Sequence, residues 1–103
     1  MRDRHFLIVT APFGRFGRVL AQALTRRGAT VGRMIFNAGD ATNWRMAGGV
    51  TFNESASRWP ERLVELSREY TDIIVFGEGG PYNQGVLSQV DQLGAAVWVL
   101  ENG

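Results

Sequence analysis

The chain has 103 residues, the length of one domain, and is 45% hydrophobic and 20% charged, as expected of a globular protein. It has no cysteine and one histidine, which excludes a disulfide framework and thiolate metal sites and disfavours any metal centre. Residues 1–50 carry eight arginines against two acids, a net charge of +6, and residues 51–103 carry three against eight, a net charge of −5. Because the two halves nearly cancel, we expect no nucleic-acid partner.

Strand and helix patterns alternate in the first half of the chain. Residues 6–10 form a continuous apolar run, typical of a strand covered on both faces. Apolar residues at helical spacing then predict a helix that ends at Gly28, with a core stripe of Phe16, Val19, Leu20, Ala23 and Leu24. Residues 31–36 are predicted as the second strand and residues 37–40 as a turn. The signal is weak over residues 41–58.

The second half continues the alternation. A helix is predicted over residues 60–70, opened by Pro60, and a strand over residues 72–76. Pro81 opens another helix, whose predicted core face consists of Val86, Leu87, Val90 and Leu93. Residues 96–100 form the last predicted strand.

This alternation predicts an α/β fold, a Rossmann-like parallel sheet with helices on both faces, in a single domain over residues 1–103. The expected strand order is 31–36, 6–10, 73–76 and 97–100 side by side, with 50–52 at the outer edge. The loops that follow the strands then share one edge of the sheet, where such folds bind ligands.

The loop after the first strand is a candidate anion site. Glycines there let the backbone approach a ligand, arginines offer forked contacts, and the next helix begins with unpaired N–H groups. The candidate substrate-binding residues are Gly14, Arg15, Phe16, Gly17 and Arg18. An ordinary strand-to-helix turn explains the same residues equally well.

The same loop resembles the opening of a nucleotide-sugar epimerase or short-chain dehydrogenase. Pro12 removes a backbone donor from the phosphate-binding turn, and Asp40 comes late for the acidic residue that holds ribose at the end of the second strand. A small NAD(P)-binding oxidoreductase or epimerase-like domain is therefore the disfavoured alternative. A non-catalytic Rossmann-like binding module is a third interpretation.

Acidic residues follow the last two predicted strands. Glu78 and Glu101 would lie on neighbouring strands about 5 Å apart, where paired carboxylates can divide acid and base work. Solvation of the loops is the plain alternative. Tyr82 and Asn83, at a helix start, are candidates for hydrogen bonds to a sugar or for helix capping.

Five segments in order carry a resemblance to a known family: PFGRFGRVLAQAL, MIFNAGD followed by Trp44, Arg58-Trp59-Pro60, TDIIVFGEGGPYNQ and VWVLENG. Together they resemble the N-terminal part of the capsule polysaccharide biosynthesis and export family, the bacterial retaining β-Kdo transferases. The resemblance implies the acceptor-side half of a GT-B-like glycosyltransferase that moves Kdo from CMP-Kdo to a phospholipid or Kdo-lipid acceptor. It implies no metal, no cofactor other than this donor substrate, and a cytoplasmic location peripheral to the inner membrane.

The resemblance also assigns residues. Asn37, Gly39 and Asp40 fall in the family's asparagine-glycine-aspartate turn, and Glu101 falls on a glutamate after the last strand. In the FGD-x-R-PYH motif the family's aspartate, arginine and histidine are replaced here by Glu78, Gly80 and Asn83. Family members are much longer, so the resemblance implies a truncated half, with a missing C-terminal domain or a partner chain at the open sheet edge.

Overall fold

The computed structural model describes residues 2–11, 16–77 and 80–100. Two short 3₁₀ helices, Ala56–Arg58 and Val90–Gln92, lie among the main elements of this part of the chain. The strands and α-helices are β1 (His5–Ile8), α1 (Phe16–Arg26), β2 (Thr30–Ile35), α2 (Ala38–Trp44), β3 (Gly49–Thr51), α3 (Trp59–Leu66), β4 (Asp72–Phe76), α4 (Pro81–Ser88) and β5 (Ala96–Leu100).

The five strands form one parallel sheet in the order β3-β2-β1-β4-β5. This order confirms the predicted α/β Rossmann-like fold, including the short edge strand outside β2. Strand β4 is buried at all five positions, as the apolar run after Asp72 predicts for four of them. From β1 the chain adds β2 and β3 on one side, and after β3 it crosses back to add β4 and β5 on the other side. The point where the strand order switches therefore lies between β1 and β4.

Helices cover both faces of the sheet. Ala21 of α1 and Trp44 of α2 belong to one buried cluster, which contains Phe6 and Ile74. Side chains of α3 and α4 belong to a second cluster on the opposite face, formed by Leu7, Val9, Met34, Phe52, Trp59, Leu63, Leu66, Ile73, Val75 and Val86. The sheet is therefore the middle of three layers.

The predicted core stripe of α1 is wrong in part. Phe16 and Val19 are 51% and 55% exposed, and the buried positions are Gly17 and Ala21. A Cβ placed on Gly17 would lie 3.0 Å from the Cβ of Ala11, so the missing side chain is what lets the helix approach the loop after β1. Ala23 is exposed as well.

Two further predictions are corrected. Leu87 and Val90, predicted on the core face, are more than 40% exposed: α4 buries Asn83, Gly85 and Val86, and Val90 lies beyond its end at Ser88, in a 3₁₀ turn that breaks the helical periodicity. Residues 38–40, predicted as a turn, form the first turn of α2.

Strand β5 pairs with β4 along its whole length and, within the described part of the chain, forms the edge of the sheet. Trp98 is 50% exposed and Val99 is 46% exposed. Both faces of this edge strand therefore carry half-exposed apolar side chains. None of the helices in residues 2–11, 16–77 and 80–100 is long and apolar enough to cross a membrane.

Candidate functional site

A cavity of about 250 Å³ opens at the carboxyl ends of β1 and β2. This is the edge at which parallel α/β sheets bind ligands. Three predicted site residues, Asn37, Asp40 and Tyr82, lie together in its wall. The other lining residues are Val9, Thr10, Ala11 and Phe36.

The segment after β2 folds back on itself at the start of α2. Asn37 is the N-cap, and its Oδ1 accepts a hydrogen bond of 2.9 Å from the Asp40 amide. The Asp40 carboxylate in turn accepts a hydrogen bond of 2.9 Å from the Phe36 amide. Local hydrogen bonding thus brings the Asp40 carboxylate back to the end of β2, although the sequence places it five residues beyond Ile35.

Arg33 lies behind this turn and contributes a buried positive charge. Only 5% of the residue is exposed, and its Nη2 lies 3.2 Å from Oδ1 of Asp40. Its Nη1 donates longer hydrogen bonds to the carbonyls of Val9 and Met34, at 3.4 and 3.5 Å. Burial lowers the pKa of the Arg33 guanidinium, and the Asp40 charge opposes that shift.

The aromatic residues Phe36 and Tyr82 also line the cavity. The rings of Phe36 and Tyr82 are stacked, with centroids 3.7 Å apart and planes inclined by 14°. Buried Trp59 meets both rings edge-on, and its Nε1 donates a hydrogen bond of 3.0 Å to the Tyr82 carbonyl. The start of α4 is therefore fixed against α3, and Tyr82 is held in place.

Asn83 lies beneath the cavity and not in its wall. It is 2% exposed, and its Nδ2 donates to the carbonyls of Phe76 and Gly77, at 2.7 and 3.3 Å. Its Oδ1 accepts a hydrogen bond of 2.6 Å from Oγ1 of Thr10. These contacts occupy the Asn83 amide within the protein, and its predicted contact with a substrate stays a prediction.

The remaining predicted residues divide into two groups. Phe16, Gly17 and Arg18 lie on α1, where the Phe16 ring packs edge-on against Phe76 and Gly17 makes the close approach to Ala11. Gly39 is exposed in the first turn of α2. The other predicted site residues lie outside the described residues: Gly14, Arg15, Glu78 and Glu101.

Sequence analysis missed the site roles of Thr10 and Arg33. Both had a signal, since each is a polar residue beside or within an apolar strand sequence. A charged residue inside a strand that is covered on both faces needs a buried partner, and Asp40 is the acid seven positions later that supplies it.

A second polar cluster lies at the opposite edge of the sheet, around Asp72 at the start of β4. This carboxylate is fully buried and accepts hydrogen bonds from Arg4, from Thr71 at 2.6 Å and from Trp98 Nε1 at 2.8 Å. Burial alone would raise the pKa of Asp72, but these hydrogen bonds and the charge of Arg4 lower it to about 2. The cluster joins the amino ends of three neighbouring strand segments and is remote from the cavity.

The described residues contain no group of three or more histidine, aspartate or glutamate side chains that could hold a metal ion. The lining residues carry one carboxylate, one amide, one phenol, the Thr10 hydroxyl and an apolar surface. This set of groups suits an uncharged ligand with hydroxyl groups better than it suits a cation.

Comparisons with known proteins agree with the fold and with the resemblance of the sequence. No family model matches the chain. The chain is 31% identical to the capsule polysaccharide modification protein LipB of Neisseria meningitidis, in a serogroup A strain and in a serogroup B strain. Each match covers 96% of this chain but only 25% of the relative, so the chain spans about a quarter of the length of these proteins.

A solved structure shows the same fold. A mycobacterial quinone oxidoreductase superposes with a TM-score of 0.53 over 97% of this chain and 39% of its own, at 16% identity. At that identity the likeness concerns the fold alone. The capsule polysaccharide resemblance predicted from five short segments is confirmed by the LipB matches along nearly the whole chain.

Proposed function

We propose that this chain acts in capsule polysaccharide biosynthesis, as the acceptor-side Rossmann-like half of a glycosyltransferase. The reaction is transfer of β-Kdo from CMP-Kdo to a phospholipid or Kdo-lipid acceptor. The observation that carries the proposal is the 31% identity to capsule polysaccharide modification protein LipB along 96% of the chain. The motifs FNAGD, Trp59-Pro60 and FGEGGPY supply the Kdo transferase part of the proposal.

The location of the cavity supports this function. Asn37 and Asp40 come from the segment MIFNAGD and Tyr82 from TDIIVFGEGGPYNQ, and the three residues meet in one cavity at the ligand-binding edge of the sheet. An aromatic surface beside a carboxylate and an amide is a common chemistry for binding sugars.

The proposed catalytic groups are Glu101 and Glu78. Phe76 and Leu100 are partners in the β4–β5 register. Glu78 comes two residues after Phe76 in the sequence, and Glu101 comes one residue after Leu100. Chain segments that follow adjacent parallel strands start from the same edge of the sheet. This placement supports a paired role, in which one carboxyl group acts as acid or base and the other stabilises charge.

The proposal includes the surroundings of the enzyme. CMP-Kdo is the donor substrate, and neither a metal nor another cofactor is part of the proposed reaction. A C-terminal domain or a partner chain covers the open edge at β5, where Trp98 and Val99 are half exposed. The proposed location is cytoplasmic and peripheral to the inner membrane, where a lipid acceptor is within reach.

One observation favours a second function, binding of a nicotinamide dinucleotide. The Asp40 carboxylate accepts a hydrogen bond from the Phe36 amide at the end of β2, close to where an acidic residue holds the ribose in dinucleotide-binding sheets. The small size of the cavity counts against a whole dinucleotide.

A chimera tests the proposed transferase. The matching quarter of meningococcal LipB is replaced by this chain, and the purified chimera and LipB are incubated with CMP-Kdo and a phospholipid acceptor, with Kdo-lipid measured by mass spectrometry. We expect Kdo-lipid from the chimera and none from the 103-residue chain alone. A folded, inactive chimera beside active LipB would count against the function, and activity of the chain alone would overturn the half-enzyme proposal.

A Glu101→Gln chimera examines the catalytic assignment. We expect it to lose turnover and to keep the urea midpoint of the parent chimera. Equal losses of turnover and stability would make Glu101 a structural residue.

A further inference from the structure

The Asp40 carboxylate is held in a fixed orientation at the mouth of the cavity. One oxygen accepts from the Phe36 amide at 2.9 Å and the other from the Arg33 guanidinium at 3.2 Å. An ionised carboxylate has about four acceptor positions, so two donors leave capacity for further hydrogen bonds. Because Asp40 lies in the cavity wall, a ligand's hydroxyl groups are suited to use that capacity.

The charge distribution excludes an anionic group from the same position. Asp40 is the ionisable side chain in the cavity wall. Its negative charge is balanced by Arg33, which is 95% buried and lies behind it. A phosphate or carboxylate that entered the cavity would meet the Asp40 oxygens before it met the guanidinium. The hydroxyl-bearing face of a ligand is therefore favoured over its charged end.

The walls and the volume define the size of the ligand. The stacked rings of Phe36 and Tyr82 give the lining an apolar surface, and Asn37 and Asp40 give it polar groups. At about 250 Å³ the cavity is below the range of about 300 to 1,000 Å³ that holds drug-sized ligands. This volume suits a single sugar ring.

We propose that this cavity binds a pair of adjacent hydroxyl groups on one sugar ring, with Asp40 as their acceptor and Arg33 as the residue that positions Asp40. The inference rests on the proposed function, because it assigns a part of the substrate to that site. Two sources carry this chemistry, the ribose of CMP and the ring of Kdo. In either case the diol faces Asp40 and the charged group of the ligand points out of the cavity.

The test compares CMP with an analogue that lacks the diol, and uses free Kdo as a probe for the second source. Amide NMR spectra of the full chain are recorded with CMP, with 2′,3′-dideoxy-CMP and with free Kdo, following the amides of Phe36 and Asp40. If ribose is the source, we expect CMP to bind at least about tenfold more tightly than its dideoxy analogue, the loss of one charged hydrogen bond. If Kdo is the source, we expect Kdo alone to shift these two amides. Equal binding of CMP and its analogue without a response to Kdo would overturn the inference, as would no binding of any probe.

Variants test the roles of the two residues. Asp40→Asn is expected to abolish the preference for the diol-bearing probe, and Asp91→Asn, which removes an exposed carboxylate elsewhere, is expected to keep it. Arg33→Lys should retain part of the preference for the diol-bearing probe, and Arg33→Met should lose it. The preference is a ratio of two affinities for the same variant, so a loss of stability alone would not change it. If these variants fail to fold, the probes on the unchanged chain still decide. If the probes give a negative result on the unchanged chain, this inference fails, and the chimera assay still tests the transferase separately.

Discussion

Thr10 and Asn83, 73 positions apart in the sequence, are joined by a hydrogen bond of 2.6 Å. The Thr10 hydroxyl also accepts from the Phe76 amide at 3.1 Å, and the Asn83 amide donates to the Phe76 carbonyl at 2.7 Å. The end of β1, the end of β4 and the first turn of α4 are thereby connected at the point where the strand order switches. This connection holds Tyr82, the neighbour of Asn83, in the cavity wall.

Replacement of Asn83 by leucine should destabilise the protein strongly. The new side chain has a similar size but takes the short Asn83 hydrogen bond away from the buried Phe76 carbonyl and the acceptor away from the Thr10 hydroxyl, at a cost of about 1 to 3 kcal/mol. Urea unfolding measures the change in free energy. Gln84→Ala, one position along the same helix and exposed, is the control and should change stability by less than about 0.5 kcal/mol. Similar values for the two variants would show that the network contributes little.

Acid should destabilise the protein through Asp72. Its pKa is about 2 in the folded state, below the ordinary value of 3.8, so its contribution to stability is complete above pH 3.8 and is lost as the pH falls towards 2. Unfolding free energies measured between pH 6 and pH 2 should fall over that window, and the fall should be shallower in Asp72→Asn. The matched variant Asp91→Asn should retain the full slope. An Asp72→Asn profile parallel to that of the parent would contradict the assignment.

Gly85→Ala should lower stability, although alanine is the better helix former by about 1 kcal/mol. A Cβ at this position would lie 2.7 Å from Cδ1 of Trp59, whose ring is 1% exposed and is held by its hydrogen bond to Tyr82. We expect a loss of about 1 to 3 kcal/mol in urea unfolding. Combining Gly85→Ala with Trp59→Phe should recover part of it relative to Trp59→Phe alone, because the smaller ring leaves space for the methyl group. A gain in stability from the single substitution would show that the ring moves freely.

The open edge at β5 should promote association of the isolated chain. The strand has the sequence AVWVL, without charge or proline, and two of its side chains are half exposed. Val99→Lys should reduce concentration-dependent association in sedimentation velocity, whereas Gln92→Lys adds the same charge at an exposed position outside the strand and should not. Equal effects of both variants would point to net charge and away from the strand edge.

Sequence patterns sufficed for the order of the strands because β1, β4 and β5 are mainly apolar runs and the crossover rules for parallel sheets place the rest. They failed for α2, whose sequence AGDATNW contains few strong helix formers. That helix depends on the Asn37 cap and on burial of Trp44, which is 2% exposed, and tertiary contacts of this kind have no periodic signal.

The cavity was predictable in location but not in composition. Parallel topology places the ends of β1 and β2 at one edge, so Asn37 and Asp40 could be assigned to it from the sequence. The sequence marks Arg33 as a charge inside a buried strand that needs a partner, but it does not show which acid supplies that partner. In α1 the apolar spacing pointed to Phe16 and Val19, while close packing selected the small residues Gly17 and Ala21.

The two polar clusters lie at opposite ends of β4, with Asp72 at its first residue and Phe76 at its last. Four residue steps of about 3.3 Å separate them by about 13 Å, beyond the range of about 7 to 10 Å over which substitutions usually interact energetically. The losses from Asp72→Asn and Asn83→Leu should therefore be additive in the double variant. Substitutions around Asp72 can thus adjust the acid tolerance of this sheet while the ligand-binding edge keeps its geometry.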